Sequence, residues 1–266
     1  MDLNLKGKIA VITGGASGIG AAVGRELLSE GAAIAVCGRN EEKLAAFRNE
    51  LQGKGAVYTE RADVSCEADM RAFAAHVVEK FGRIDIWINN AGIAVNKFFL
   101  DFTDEDWDRV MGTNLKGLWN CCRIAAPYMM EQKSGVFINI SSYAAKIPHA
   151  EGAVYAASKA AVSSLTKSLA ADLAPYHIRV LGVIPGMIQS EIARKSIEEN
   201  GAKYVRDIAM KRLGLPEDLA KPIAFLCSDA AGYMSGFDVE ITGGKFAAQN
   251  TDWPWTRIGA AYPSNR

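Results

Sequence analysis

Short runs of apolar, β-branched residues alternate along the chain with longer stretches whose apolar positions recur every three or four residues. The runs fall at 9–13, 34–37, 57–61, 84–89, 135–141, 178–184 and 237–241. Each is apolar throughout rather than at every second position, as in strands covered on both faces. Helical periodicity occupies 19–30, 41–52, 67–81, 105–131 and 153–173. This alternation predicts βαβ units and one α/β domain over 1–244. The domain is a doubly wound parallel sheet of about seven strands with helices on both faces. Ligands bind such sheets beyond the carboxyl ends of the strands. Residues just after each strand are therefore the candidates for chemistry. The tail, 245–266, carries Trp253, Pro254, Trp255, Tyr262 and Pro263 without periodicity and reads as an irregular extension.

Composition narrows the classes. The 266 residues are 49% hydrophobic, enough for a sizeable core. Thirty basic and thirty acidic residues balance, so nothing marks a surface for nucleic acid or an anionic membrane. No apolar run has bilayer length, and the polar stretch 1–8 lacks a signal-peptide pattern. The five cysteines form no C-x-x-C pair, as expected of reduced thiols in a cytoplasmic protein. His76, His149 and His177 lie far apart, and no metal site is expected.

The first strand runs into Thr13-Gly14-Gly15-Ala16-Ser17-Gly18-Ile19-Gly20. Glycines at 14, 18 and 20 permit a tight turn and let backbone approach a pyrophosphate. The helix opening there offers N–H donors and a positive dipole end. Gly14, Ser17, Gly18, Ile19 and Gly20 are thus candidate dinucleotide contacts in a Rossmann-like fold. After the second strand, Gly38 leaves vacant the place where an acid would bind a ribose 2′-hydroxyl, and Arg39 follows. That predicts NADP(H) in preference to NAD(H). Arg39 also fits the start of a loop, with Asn40 as helix cap. Asp63 and Val64 suit adenine contacts, and Asp63 equally suits a cap before Glu67. Asn90, Ala91 and Gly92 are small or amide-bearing residues after the fourth strand, against which a cofactor can lie.

Tyr155 and Lys159 sit four apart in a helical stretch and so share one face. A nearby ammonium favours a phenolate, which suits the phenol to proton exchange with a carbonyl or alcohol oxygen. Ser142 ends the fifth strand 13 residues earlier, where a hydroxyl can hold the same oxygen. Ser141 is the competing hydroxyl.

Together the T-G-x-x-x-G-x-G, N-N-A-G and Y-x-x-x-K motifs resemble those of the short-chain dehydrogenase/reductase family, in the same order and over about 6–244. The resemblance implies an NAD(P)-dependent enzyme acting on CH–OH or C=O groups. In it Ser142 positions the substrate oxygen, Tyr155 is the acid/base, and Lys159 lowers the tyrosine pKa and binds the nicotinamide ribose. Asn114 matches a fourth catalytic position that helps hold a relay water. Pro185, Gly186, Ile188 and Ser190 match the segment contacting the nicotinamide carboxamide, with Ser190 where threonine is common. Thr242 departs from an often acidic position.

The resemblance further implies a pocket from Ile93, Ala94, Val95, Tyr143, Ile147, Pro148, His149 and Met187, and a lid over 189–212. It also implies a homotetramer or homodimer through 105–131 and 153–173. The tail would reach a neighbouring subunit or pack on its own. Three functions follow. The first is NADP(H)-dependent interconversion of a secondary alcohol and a hydrophobic or steroid-like ketone. The second is reduction of a 3-oxoacyl thioester on acyl carrier protein. The third is dinucleotide binding without turnover, as a sensor or scaffold, which the complete set Asn114, Ser142, Tyr155 and Lys159 disfavours.

Overall fold

A computed structural model describes residues 2–245 and 247–263. Seven strands form one parallel sheet in the order β3-β2-β1-β4-β5-β6-β7. They are β1 (Ile9–Thr13), β2 (Ala33–Gly38), β3 (Val57–Arg61), β4 (Ile86–Asn89), β5 (Gly135–Ile140), β6 (Ile178–Pro185) and β7 (Asp238–Ile241). The order reverses between β1 and β4, which opens a crevice at the sheet's carboxyl edge.

Successive strand residues point to opposite faces, so an unbroken apolar run feeds two cores at once. Ile12, Val36, Ile88 and Ile138 face α1 (Gly18–Ser29), α2 (Glu41–Glu50) and α8 (Pro216–Cys227). Val11, Cys37, Trp87 and Phe137 face α3 (Glu67–Phe81), α5 (Leu118–Gln132) and α6 (Ala153–Leu173). Phe73, Trp87 and Phe137 are fully buried in the second core.

Three elements differ from the sequence expectation. The helix expected over 105–131 is broken into α4 (Asp104–Met111), a π-helical segment Gly112–Gly117, and α5. Gly117 packs against Val64, where a Cβ would lie 2.9 Å from Val64 Cγ2. Wide turns of this kind often mark functional positions, and this one carries Asn114. The fourth strand starts at Ile86, not 84. Ile84 N donates to the Gln132 side chain, and the Asp85 carboxylate accepts from Ile9 N.

The tail is not wholly irregular. Residues Trp253–Ile258 form a short helix, α9, with proline in its first turn and Gly259 ending it at φ 65°. Trp255 Nε1 donates to Ala209 O, so the tail folds back on its own subunit. The segment expected as a lid contains α7 (Arg194–Asp207). Among the described residues no helix is long and apolar enough to cross a membrane.

Candidate active site

The glycine turn after β1 is built by contacts that exclude side chains. Gly14 and Gly18 hold φ of 61° and 52°, a region costly for other residues. A Cβ on Gly14 would lie 3.0 Å from Ala91 Cα, and one on Gly20 would lie 2.5 Å from Asn90 Nδ2. Asn90 explains that crowding. Its Nδ2 donates to Thr13 O and Gly14 O, both at 3.0 Å. Thr13 Oγ1 accepts from the N–H groups of Asn90 and Ala91, both at 3.1 Å. The turn is thereby clamped to the end of β4, with α1 opening at Gly18. Accessible backbone at a helix start fits an anionic pyrophosphate.

A cleft of about 560 Å³ runs from this turn along the carboxyl edge of the sheet. Every predicted site residue lines it except Gly20 and Asn114. Gly20 is pressed behind the turn against Asn90. Asn114 is 1% exposed. Its Oδ1 accepts from Ile93 N at 2.8 Å, and its Nδ2 donates to Ile93 O and Ser158 Oγ. The side chain therefore anchors the loop after β4.

At the end of the cleft beside β2, no Cβ occupies Gly38 and Arg39 borders the opening. Arg39 Nη1 is 3.9 Å from Asp63 Oδ2, with the guanidinium half-exposed. Asp63 Oδ1 meanwhile accepts from Ser65 N and Oγ, a local turn rather than a helix cap, since Cys66 occupies the N-cap of α3. Asn40 caps α2 by accepting from Lys43 N, as the capping reading expects. Lys43 was missed by the sequence reading. It lines the cleft and reaches Glu191 at 2.5 Å. Its signal was its place one turn after Asn40.

At the other end, β5 and α6 bring the chemistry together. Ser141 Oγ donates to Lys159 O and lies 3.0 Å from Ser163 Oγ, so its hydroxyl is committed to α6. Ser142 Oγ accepts from Ala144 N and also hydrogen-bonds the Tyr155 phenol. Lys159 is 5% exposed. Its Nζ donates to Ile140 O at 2.8 Å and lies 6.0 Å from the Tyr155 ring centroid.

Burial dominates both titrating groups. It pulls the Lys159 ammonium down to about 8. It also holds the Tyr155 phenol above its ordinary 10, while the Ser142 hydrogen bond acts the other way. The expectation that Lys159 lowers the phenol is therefore not met by the protein's own groups. The ammonium is aimed at Ile140 O, with Lys159 buried and Tyr155 partly buried in the cleft wall.

Of the expected pocket residues, Ile93, Ala94, Tyr143, His149 and Met187 line the cleft. Val95, Ile147 and Pro148 do not, and Ile147 is exposed. Asn96, Ile192, Ala193 and Ser196 join them unforeseen. The last three come from the start of the segment expected as a lid, whose apolar pattern is too short to place from sequence.

Comparisons with known proteins agree with this geometry. The family profile described as short chain dehydrogenase matches residues 8–201. A 3-oxoacyl-[acyl-carrier-protein] reductase of Staphylococcus aureus is 36% identical over 90% of this chain and 98% of its own. One from Thermotoga maritima is 37% identical over 91% and 99%. The crystal structure of levodione reductase superposes with a TM-score of 0.88 at 33% identity, covering 91% of this chain and 99% of that one. The glycine turn, the clamp at Asn90 and the Ser142–Tyr155–Lys159 group lie on one cleft, and the chain belongs to the short-chain dehydrogenase/reductase family, whose members act as oxidoreductases on CH–OH and C=O groups.

Proposed function

We propose that this oxidoreductase prefers NADP(H) and interconverts a secondary alcohol and a ketone carried on a largely hydrophobic body. The observation that carries the reading is the meeting of Ser142, Tyr155 and Lys159 in the cleft that begins at the glycine turn. Gly14, Ser17, Gly18, Ile19 and Gly20 would hold the pyrophosphate, Asp63 and Val64 the adenine, and Arg39 the 2′-phosphate. Asn90, Ala91 and Gly92 would back the ribose, and Pro185, Gly186, Ile188 and Ser190 the carboxamide. When bound, the nicotinamide supplies or accepts the hydride and, oxidised, adds positive charge beside the phenol.

The protein's own groups handle the proton. Ser142 donates a hydrogen bond to the substrate oxygen and holds it against the Tyr155 hydroxyl. In reduction Tyr155 gives its proton to that oxygen, and in oxidation it takes the proton back. Lys159, with a pKa of about 8, exchanges protons readily near neutrality and can restore the phenol. Asn114 keeps the β4 loop in place beside it. Apolar Ile93, Ala94, Met187 and Ile192 favour a hydrophobic substrate body. Exposed Trp107 and Trp119 on α4 and α5 support assembly through that face.

The names of the bacterial relatives favour a second reading, reduction of a 3-oxoacyl thioester. Against it, Lys97 and Lys146 on the substrate-side segments are already paired with Asp106 and Glu240. They leave less positive charge for an acidic carrier. The test follows reduced-nicotinamide absorbance with NADP(H) and NAD(H) against ketones, alcohols, steroids and acetoacetyl thioester. Arg39→Ala should weaken NADPH binding by about tenfold or more, the scale of a lost charge-assisted hydrogen bond, and leave NADH binding nearly unchanged. Equal use of both cofactors by the unaltered protein would remove the role given to Arg39. Turnover of the thioester alone would transfer the protein to the second reading.

A further inference from the structure

Where the domain gives way to its tail, a lysine is buried between two aromatic faces. Lys245 is 5% exposed, and its Nζ lies 5.3 Å from the ring centroids of both Tyr143 and Tyr204. Three separate segments meet there. Tyr143 directly follows Ser142 and lines the cleft. Tyr204 belongs to α7, and its hydroxyl lies 2.5 Å from Ser196 Oγ, on a residue that also lines the cleft. Lys245 itself enters from the turn after β7, where Gly243 and Gly244 take φ of 63° and 77°.

That turn is seated against the end of α7. Met210 N donates to Gly243 O at 3.0 Å. A Cβ on Gly244 would lie 2.8 Å from Ala209 Cβ. The tail grips the same place further on. Lys211 donates to Arg206 O, Thr251 Oγ1 accepts from Lys211, and Trp255 holds Ala209 O.

We propose that Lys245 is a positioning residue that pins the lid helix α7 to the wall of the substrate pocket, with the Tyr143 and Tyr204 rings as its two seats. The proposal rests on reading the far end of the cleft as that pocket. A buried ammonium gives up hydration and recovers it when the lid lifts. The two ring faces offset part of that loss while the lid is down. Such a seat makes the closed lid favourable yet easily opened, as a lid that must admit substrate and release product in every cycle requires. It also joins the lid to the residue next to Ser142, so lid position and the orientation of the catalytic hydroxyl are coupled.

The test reads the lid without needing a substrate. Amide hydrogen exchange is followed by mass spectrometry over α7, with α1 and α6 as internal controls, in the full chain with and without NADPH. In Lys245→Ala, α7 should exchange about tenfold faster or more, the scale of a desolvated cation–π contact. The controls should hold and NADPH affinity should stay intact. Lys245→Arg, which restores a cation able to stack on both rings, should bring α7 back close to the original rate. The proposal fails if Lys245→Ala leaves α7 within about twofold of the original, a gap too small for such a contact. It fails equally if the arginine variant exchanges as fast as the alanine one, or if α1 and α6 loosen in step with α7. A protein with no measurable turnover on any ketone would undo the substrate reading and leave this result standing.

Discussion

Replacing the lysine of the proposed catalytic pair should make the protein more stable as it destroys activity. Lys159 is buried, and its ammonium is held at about 8 against an ordinary 10.5. That difference corresponds to about 3 kcal/mol of native-state cost for keeping the group charged. Methionine keeps most of the stem's volume and carries no charge. It also leaves Ile140 O without the 2.8 Å bond it accepts now, a loss of about 1–2 kcal/mol. The net gain for Lys159→Met near neutral pH is therefore about 1–2 kcal/mol. For a chain of this size that raises Tm by about 3–6 °C.

The pH dependence carries its own sign. Below about 8 the lysine is protonated in both the folded and the unfolded chain, and the full cost applies. Between about 8 and 10.5 the folded chain sheds the proton while the unfolded chain keeps it, so the cost fades. The advantage of the variant should then be largest at pH 7 and shrink by pH 10. Calorimetric or fluorescence melts of both proteins at pH 7, 8.5 and 10 read this directly. A variant that melts lower at pH 7, or whose advantage grows with pH, would refute the view that burial governs this group.

On the role proposed for Tyr155, the change Tyr155→Phe removes only the proton carrier. Turnover should fall by about a hundredfold to ten-thousandfold, with NADPH affinity, measured by fluorescence titration, largely intact. Preserved turnover would exclude Tyr155 from proton transfer. Gly20→Ala would place a methyl 2.5 Å from Asn90 Nδ2 and 2.8 Å from Gly14 O. Forcing the clamp open should cost about 1–3 kcal/mol of stability, visible in a melt, and weaken NADPH binding by about tenfold. Unchanged binding would mean that the clamp does not shape the pyrophosphate site.

Much of the architecture could be read from the chain because both cores draw on the same strands. Residues such as Val11 and Ile12 are apolar for two different reasons, one core each, and the continuous run is the outcome. The glycine turn was legible for a similar reason, since left-handed backbone at Gly14 and Gly18 leaves few residue choices. Elements set by long-range contacts were not legible. The π segment depends on Gly117 meeting Val64, 53 positions away in sequence, and no local pattern announces it. Thr13 sits inside the recognised motif, yet its part in clamping Asn90 and Ala91 requires β1 and β4 to be neighbours. The short helix in the tail hides behind two tryptophans and a proline until Ala209 is there to receive Trp255.

The titration of Tyr155 and Lys159 shows where motif reading ends and packing begins. A spacing of four puts a phenol and an ammonium on one helix face, and in water that proximity would lower the phenol. In the folded chain β5 takes the ammonium for Ile140 O, and burial acts on both groups. Burial then moves the two pKa values apart, the lysine down and the tyrosine up, and makes each charge more costly than before. Charge introduced next to them counts for more in so dry a site than it would at a surface. On the role proposed for Tyr155, the state of whatever lies against it and Lys159, more than the pair itself, decides when the phenol gives up its proton.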